Sequence, residues 1–224
     1  MKSISYFKTN ISIDILPKKD FRKILIVGSG NGIEAYAFRD IFPNANIIGI
    51  DPTIINDYHD GNISFLKTDA TKMPFENDTF DLVYSYHVLE HIENYSSALS
   101  EMNRVLQREG ILFIGTPNRI RLFGYISGDG TFLEKIKWNF NDWKYKLKGK
   151  FRNEYGAHAG FANYELKKIL CVYFNDVREK FKDYYKGLYQ TKLYLLKIIY
   201  FFNLQAYILP AIYFMGKKNS TYHL

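Results

Sequence analysis

The chain has 224 residues, 47% of them apolar, and carries 30 Lys and Arg against 23 Asp and Glu for a formal net charge of +7. That length and apolar share suit one globular domain with a full core and exclude wholesale disorder; the lone Cys171 excludes an internal disulfide and fits a reducing, cytoplasmic setting. The positive surplus is local, because seven basic residues face two acidic ones between Glu134 and Arg152, as suits an anionic partner.

The first segment, MKSISYFKTNISIDIL, breaks its apolar residues with Lys8, Asn10 and Asp14, so it lacks the continuous apolar run of a secretion signal. Short runs rich in Ile, Val, Leu, Phe and Tyr at 24–28, 46–50, 63–68, 80–86 and 111–115 are each bounded by turn residues and read as strands. NYSSALSEMNRVLQREG is predicted as a helix, with Ala98, Met102, Val105 and Leu106 on one face and Gly110 as its stop. Residues 121–157 are aromatic, basic and weakly periodic, which predicts an insertion lying over a site. ANYELKKILCVYF reads as an amphipathic helix that Asn163 caps and that holds Cys171 as a small buried residue, and AIYFMGKK as a closing strand. Residues 198–215 carry no charge, but Asn203, Gln205 and Pro210 argue against a membrane span; a helix near the site or resting on a bilayer surface is the better reading. Strands alternating with helices predict an α/β fold with a largely parallel sheet covered on both faces.

Within that frame, ILIVGSGNGIE places Gly28, Gly30 and Gly32 directly after a buried strand and before a helix. Glycine is costly there unless the turn needs its torsions or something approaches the backbone closely. In open α/β sheets that turn is where nucleotides bind, at the carboxyl ends of the strands. Asp51 ends the next strand, about twenty residues on, where a carboxylate accepts from ribose hydroxyls. The spacing is G-x-G-x-G, with Ile33 where the nicotinamide fingerprint has its last glycine, and so leans away from a dinucleotide.

These stretches resemble the class I S-adenosylmethionine-dependent methyltransferases, specifically the small-molecule methyltransferase type 11 family. ILIVGSGNG is similar to its glycine motif and IIGID to its ribose-binding strand. LKTDATKMPFENDTFDLVYSYHVLEHI and EMNRVLQREGILFIGTPN resemble its next two blocks in the family's order, and HAGFANYELKKIL its H-x-x-F segment. The resemblance implies a Rossmann-like, seven-stranded sheet with helices on both faces, in one domain over 1–224, with 121–157 as a basic, aromatic insertion over the acceptor site. It implies S-adenosylmethionine as cofactor and S-adenosylhomocysteine as product. Gly28, Ser29, Gly30 and Gly32 would face the methionine half, Asp51 and Pro52 the ribose, and Asp69 with Ala70 the adenine. Two departures stand out: Ile26 where the family usually has an acid, and Ser29 where Cys is commoner.

On the acceptor side, His87, Glu90 and His91 fall at i, i+3 and i+4, so one helical turn would gather them on one side. His91 or His87 is the expected base, since imidazole takes protons near neutral pH. A divalent metal on His87, Glu90, His91 and the distant His158 is the less favoured alternative. The expected reaction is methylation of a small-molecule acceptor, preferably at a hydroxyl such as that of a sugar or glycan precursor. The acceptor is expected to be anionic or membrane-associated, with no nucleic acid and no transmembrane span, in a cytoplasmic protein peripheral to the membrane at most. A non-catalytic binding module and a nicotinamide-dependent oxidoreductase are the alternatives.

Overall fold

The computed structural model describes residues 20–54, 57–124, 130–153, 159–188 and 193–221. In chain order the elements are β1 (Lys23–Val27), α1 (Ile33–Ile41), β2 (Asn46–Ile50), β3 (Tyr58–Asp60), β4 (Ile63–Leu66), β5 (Phe80–Tyr86), α2 (Tyr95–Val105) and β6 (Leu106–Pro117). There follow α3 (Phe132–Leu147), α4 (Asn163–Tyr173), β7 (Phe174–Glu179), α5 (Phe181–Leu188), α6 (Leu193–Phe201), α7 (Gln205–Ile208) and β8 (Ala211–Lys218). One sheet of eight strands runs β3-β4-β2-β1-β5-β6-β8-β7. The β4-β2-β1-β5-β6 portion is parallel, and β3, β8 and β7 pair antiparallel.

Strand alternation divides the core into two layers. Ile24 and Ile26 of β1 join Ala35 and Phe38 of α1, Tyr184 and Tyr185 of α5 and Leu196 of α6 on one face. Leu25 and Val27 join Ala98, Leu99 and Met102 of α2 and Leu166 and Leu170 of α4 on the other. Burial on both faces explains why KILIV carries unbroken apolar residues. The plentiful tyrosines form a stacked column through the first layer. Tyr84 lies on Phe113 at 5.5 Å, Tyr86 on Tyr213 at 6.1 Å and Tyr213 on Tyr184 at 3.8 Å between ring centroids.

Several expectations are corrected. The sheet has an eighth strand, β3, at its edge, where the Tyr58 ring stacks on Phe65 at 4.5 Å. YHD is too short and polar to read as a strand. The helix expected to run to Gly110 ends at Val105, and Leu106 turns directly into β6 with extended torsions. Gly110 instead admits close backbone, since a Cβ there would sit 2.6 Å from the Gln107 carbonyl oxygen. Asn163 is the first residue of α4, not its cap; the N–H of Ala162 donates to the Glu165 carboxylate at 3.1 Å. Cys171 lies exposed on that helix. The segment read as weakly periodic holds α3, opened by a capping box in which the Thr131 N–H donates to Glu134 at 2.7 Å. Among the described residues no helix is long and apolar enough to cross a membrane; the uncharged 198–215 is split among α6, α7 and β8.

Candidate active site

The glycine turn leaves β1 with φ of 74° at Gly28, 50° at Gly30 and 80° at Gly32, all left-handed. The N–H groups of Gly28 and Ser29 donate to the Ile50 carbonyl at 2.8 and 3.0 Å, which fastens the turn to the end of β2. The three glycines meet different surroundings. A Cβ on Gly28 would lie 2.1 Å from Cγ2 of Val88, and one on Gly32 would lie 2.6 Å from the Phe65 ring. One on Gly30 would meet no protein atom within 4 Å. Torsion and close packing therefore explain Gly28 and Gly32, whereas at Gly30 the backbone faces open space.

Beside this turn lies a cleft of about 550 Å³ at the carboxyl ends of β1, β2, β4 and β5. Of the residues singled out in the sequence, Gly28, Asp51, Pro52, Asp69, Ala70, His87 and His91 line it. Ser29, Gly30 and Gly32 are not among its walls: Ser29 is buried against Gly49 with no hydrogen-bond partner for its hydroxyl, and Gly32 is buried under Phe65. Asp51 accepts from the Gly30 N–H at 3.0 Å on one oxygen and from the Thr53 N–H at 2.9 Å on the other. Partial burial pushes the Asp51 carboxyl up, but bonds from the Thr53 hydroxyl, the Thr53 N–H and the Gly30 N–H outweigh it and hold the group below its ordinary value. Asp69 accepts from the Thr71 N–H at 2.7 Å, which leaves its second oxygen without a partner among the described residues.

The HVLEH stretch does not form one helical turn. Only Leu89–His91 is helical, as a short 3₁₀ turn, and His87 precedes it with φ of 55°. Such a torsion is strained for a non-glycine residue and needs surrounding support. Support comes from the His87 N–H donating to the Gly115 carbonyl at 2.8 Å, from the Tyr86 ring edge-on at 4.3 Å, and from Glu90. His87 Nδ1 stands 3.3 Å from Glu90 Oε1, and the carboxylate is buried with no full hydrogen bond to either oxygen. His91 stays exposed at the mouth of the cleft. Among the described residues no three His, Cys, Asp or Glu side chains converge at metal-ligating distance, and His158 lies outside them.

The methyltransferase-domain family profile matches residues 25–114, the segment that builds this cleft. A ubiquinone biosynthesis O-methyltransferase of Rickettsia typhi is 28% identical over 172 residues, covering 71% of this chain and 67% of that one. A ubiquinone/menaquinone biosynthesis C-methyltransferase of Campylobacter jejuni is 31% identical over 105 residues, covering 43% of this chain and 45% of the other. Phosphoethanolamine N-methyltransferase 2 of Haemonchus contortus, solved with S-adenosyl-L-methionine, superposes with a TM-score of 0.56 at 17% identity, over 95% of this chain and 53% of that one. The chain thus matches a methyltransferase-domain family over residues 25–114 and resembles S-adenosylmethionine-dependent methyltransferases in sequence and in fold. It spans about half or less of the length of most curated relatives it matches.

The cleft fits S-adenosylmethionine on its own chemistry. Asp51 is ionised and retains accepting capacity for ribose hydroxyls, Asp69 has a free oxygen for an amino group, and Pro52, Ala70, Val88 and Ile92 supply apolar wall for a flat ring. Ile26, where the family usually has an acid, is wholly buried, paired in register with Gly49 and Tyr84. A carboxylate nonetheless reaches that neighbourhood from α1, where Glu34 accepts from the Tyr84 hydroxyl at 3.4 Å. Sequence reasoning missed Thr53, Val88 and Asn94, which line the cleft through tertiary placement. Asp51-x-Thr53 carried a legible signal, since an Asx-type turn pairs these positions.

Proposed function

We propose that the chain methylates a hydroxyl of a small, negatively charged acceptor, with His87 as the base and Glu90 as the residue that positions it. The observation that carries this reading is the strained His87 backbone, held at the cleft wall with Nδ1 against the buried Glu90 carboxylate. A buried carboxylate without other donors favours the tautomer that keeps a proton on Nδ1, which leaves Nε2 to accept one. S-adenosylmethionine, when bound, supplies an electrophilic methyl group on a sulfonium. The chain's own residues do the rest. Asp51 and Pro52 would hold the ribose, Asp69 and Ala70 the adenine, and the turn at Gly28 and Gly30 the methionine end. His87 Nε2 would take the acceptor's hydroxyl proton, while alignment supplies much of the rate.

An anionic acceptor is supported by a second cavity of about 470 Å³ beyond the carboxyl end of β6, lined by Arg119, Lys146, Phe151, Arg152 and Glu165. Among the described residues its one carboxylate is engaged by Arg119, so the lining carries more cations than acids, Lys146 and Arg152 among them. The segment 121–157 then covers the acceptor side, with α3 fixed next to that strand end. The methyl-accepting atom differs among the relatives, which include an O- and a C-methyltransferase, so the hydroxyl rests on the His87–Glu90 pair alone. The test is to incubate the protein with S-adenosylmethionine and a pool of small anionic metabolites, and to follow S-adenosylhomocysteine release and mass gain. In His87→Ala, turnover should fall ~10²–10⁴-fold, with S-adenosylhomocysteine affinity by calorimetry unchanged. Full turnover in a folded His87→Ala protein overturns the base assignment.

A further inference from the structure

The helix α3 is amphipathic with its faces reversed. At about 100° per residue, Phe132, Leu133, Ile136, Phe140, Trp143 and Leu147 fall within roughly 100° of its circumference. That stripe points into solvent, with Phe132 76%, Leu133 75%, Phe140 64% and Leu147 89% exposed. The polar side is the one that grips the protein. Asn139 accepts from the Gly124 N–H at 2.6 Å, Asp142 pairs with Arg121 at 3.0 Å, and Lys146 donates to the Arg121 carbonyl. A soluble helix normally turns its apolar stripe to the core; this one is anchored the other way round.

The stripe continues onto a second element through Leu122. The Leu122 N–H donates to the Tyr207 carbonyl of α7 at 2.5 Å, and its own carbonyl accepts from the Trp143 indole at 2.6 Å. The α6–α7 hairpin, tied to Leu122 through Tyr207, exposes Ile198, Phe201, Phe202 and Tyr207. Two elements joined at Leu122 thus each expose aromatic and aliphatic side chains.

Among the described residues, the exposed charges beside the α3 stripe are lysines. Lys137 and Lys144 flank the stripe by helical phase, and Lys148 and Lys150 follow, all exposed. Of the two acids in α3, Glu134 is committed to the capping box and Asp142 to Arg121. A protein-binding face would carry a rim of both donors and acceptors. An apolar, Trp- and Phe-bearing stripe edged by lysines matches a headgroup region, where lysine stems lie along the acyl boundary and their ammonium groups reach anionic phosphates.

We propose that α3, with the α6–α7 hairpin, docks the protein on the surface of an anionic phospholipid bilayer. This holds the carboxyl edge of β6, and the cavity beside it, close to the lipid. The full chain should co-sediment with vesicles of phosphatidylcholine containing phosphatidylglycerol and far less with phosphatidylcholine alone, and added salt should release it. Phe140→Asp and Leu147→Asp change exposed side chains, so folding and S-adenosylhomocysteine affinity should be retained. Each should lower the vesicle partition coefficient about tenfold or more. The pair Lys137→Glu and Lys144→Glu should also lower it about tenfold or more, on anionic vesicles only. Failure to sediment with anionic vesicles overturns the proposal, as does unchanged partitioning of Phe140→Asp. A stable dimer that Phe140→Asp splits would assign the face to a second copy of the chain instead. Affinity for S-adenosylhomocysteine, measured in the same samples, reports separately on the cleft.

Discussion

In α1 the buried residues Ala35 and Phe38 face the sheet, whereas in α3 the apolar stripe faces solvent and no residue is buried. The two helices bracket the two working parts of the molecule. Around α1, side chains and torsions are fixed by neighbours on all sides: Gly28 by Val88, Gly32 by Phe65, Asp51 by Gly30 and Thr53. Around α3, a few polar contacts to residues 121–124 hold a helix whose apolar stripe stays mostly exposed, with Trp143 meeting the Phe123 ring at 5.8 Å. The lesson is that pre-organisation and exposure are divided in space. The cleft side is built to hold one small ligand in one geometry, and the α3 side to meet something extended.

The sharpest way to break that contrast is to add one carbon at the glycine turn. Gly28→Ala combines a left-handed torsion with a Cβ 2.1 Å from Val88 Cγ2, and Val88 is short and β-branched with little room to yield. The expected loss is roughly 2–5 kcal/mol in denaturant unfolding, the sum of the torsional and overpacking costs. Adding Val88→Ala should recover only the packing part, and recovery of nothing would mean the clash lies elsewhere. Gly30→Ala, which meets no protein atom, should cost about 1–2 kcal/mol of stability for its torsion alone. It should nevertheless weaken S-adenosylhomocysteine binding if the open space there is cofactor space. Equal affinities for Gly30→Ala and the unchanged protein would remove the glycine turn from the binding site.

Asp51→Ala tests the same side through a charge. Losing an ionised acceptor should weaken cofactor binding by about 1.5–3 kcal/mol. Because the Asp51 carboxyl is held below its ordinary value, its contribution is present at neutral pH and is lost only as pH falls through that lowered value. Its part in affinity should therefore be flat from neutral pH down to mildly acidic conditions. Calorimetry that finds unchanged affinity in folded Asp51→Ala would sink the ribose assignment.

How far each region was legible follows from the same division. Where a backbone torsion or a buried strand dictates residue type, the letters disclose it, as with Gly28, Gly30 and Gly32, the runs at β1, β2, β5 and β6, and Asp51 at a strand end. Where contacts come from distant segments, they do not. Glu90 is three residues past a His whose strained torsion no sequence pattern announces, and Val88 matters because of the glycine it touches. The reversed α3 was half legible. Thr131 and Glu134 signalled its start and the apolar residues recur at helical spacing, but Trp138 and Tyr145 lie off the stripe and blurred the period. A sequence tells that a face is apolar and is silent on what covers it.

The smallest expected effect concerns the hinge between the two regions, at Lys146. Burial first, and the nearby Arg121 guanidinium second, push its ammonium down to about 8, with Asp142 partly opposing. A lysine depressed on folding binds its proton less tightly folded than unfolded, so protonation works against folding. The penalty is present below about 8, and it fades as pH rises from there toward the ordinary lysine value, where the unfolded chain loses its proton as well. Lys146→Met removes the titration while keeping the chain's length over the Phe151 ring, which the ammonium overlies at 4.9 Å. The difference in melting temperature, variant minus parent, should therefore be more favourable to the variant at pH 7 than at pH 10, since lysines shared by both proteins cancel. A small anion such as phosphate should narrow the difference at pH 7 by stabilising the charged parent, if the cavity lined by Lys146 and Arg152 takes an anionic group. A difference that is flat with pH and indifferent to phosphate would show that Lys146 is solvated like any surface lysine, and the acceptor would lose its proposed anionic contact.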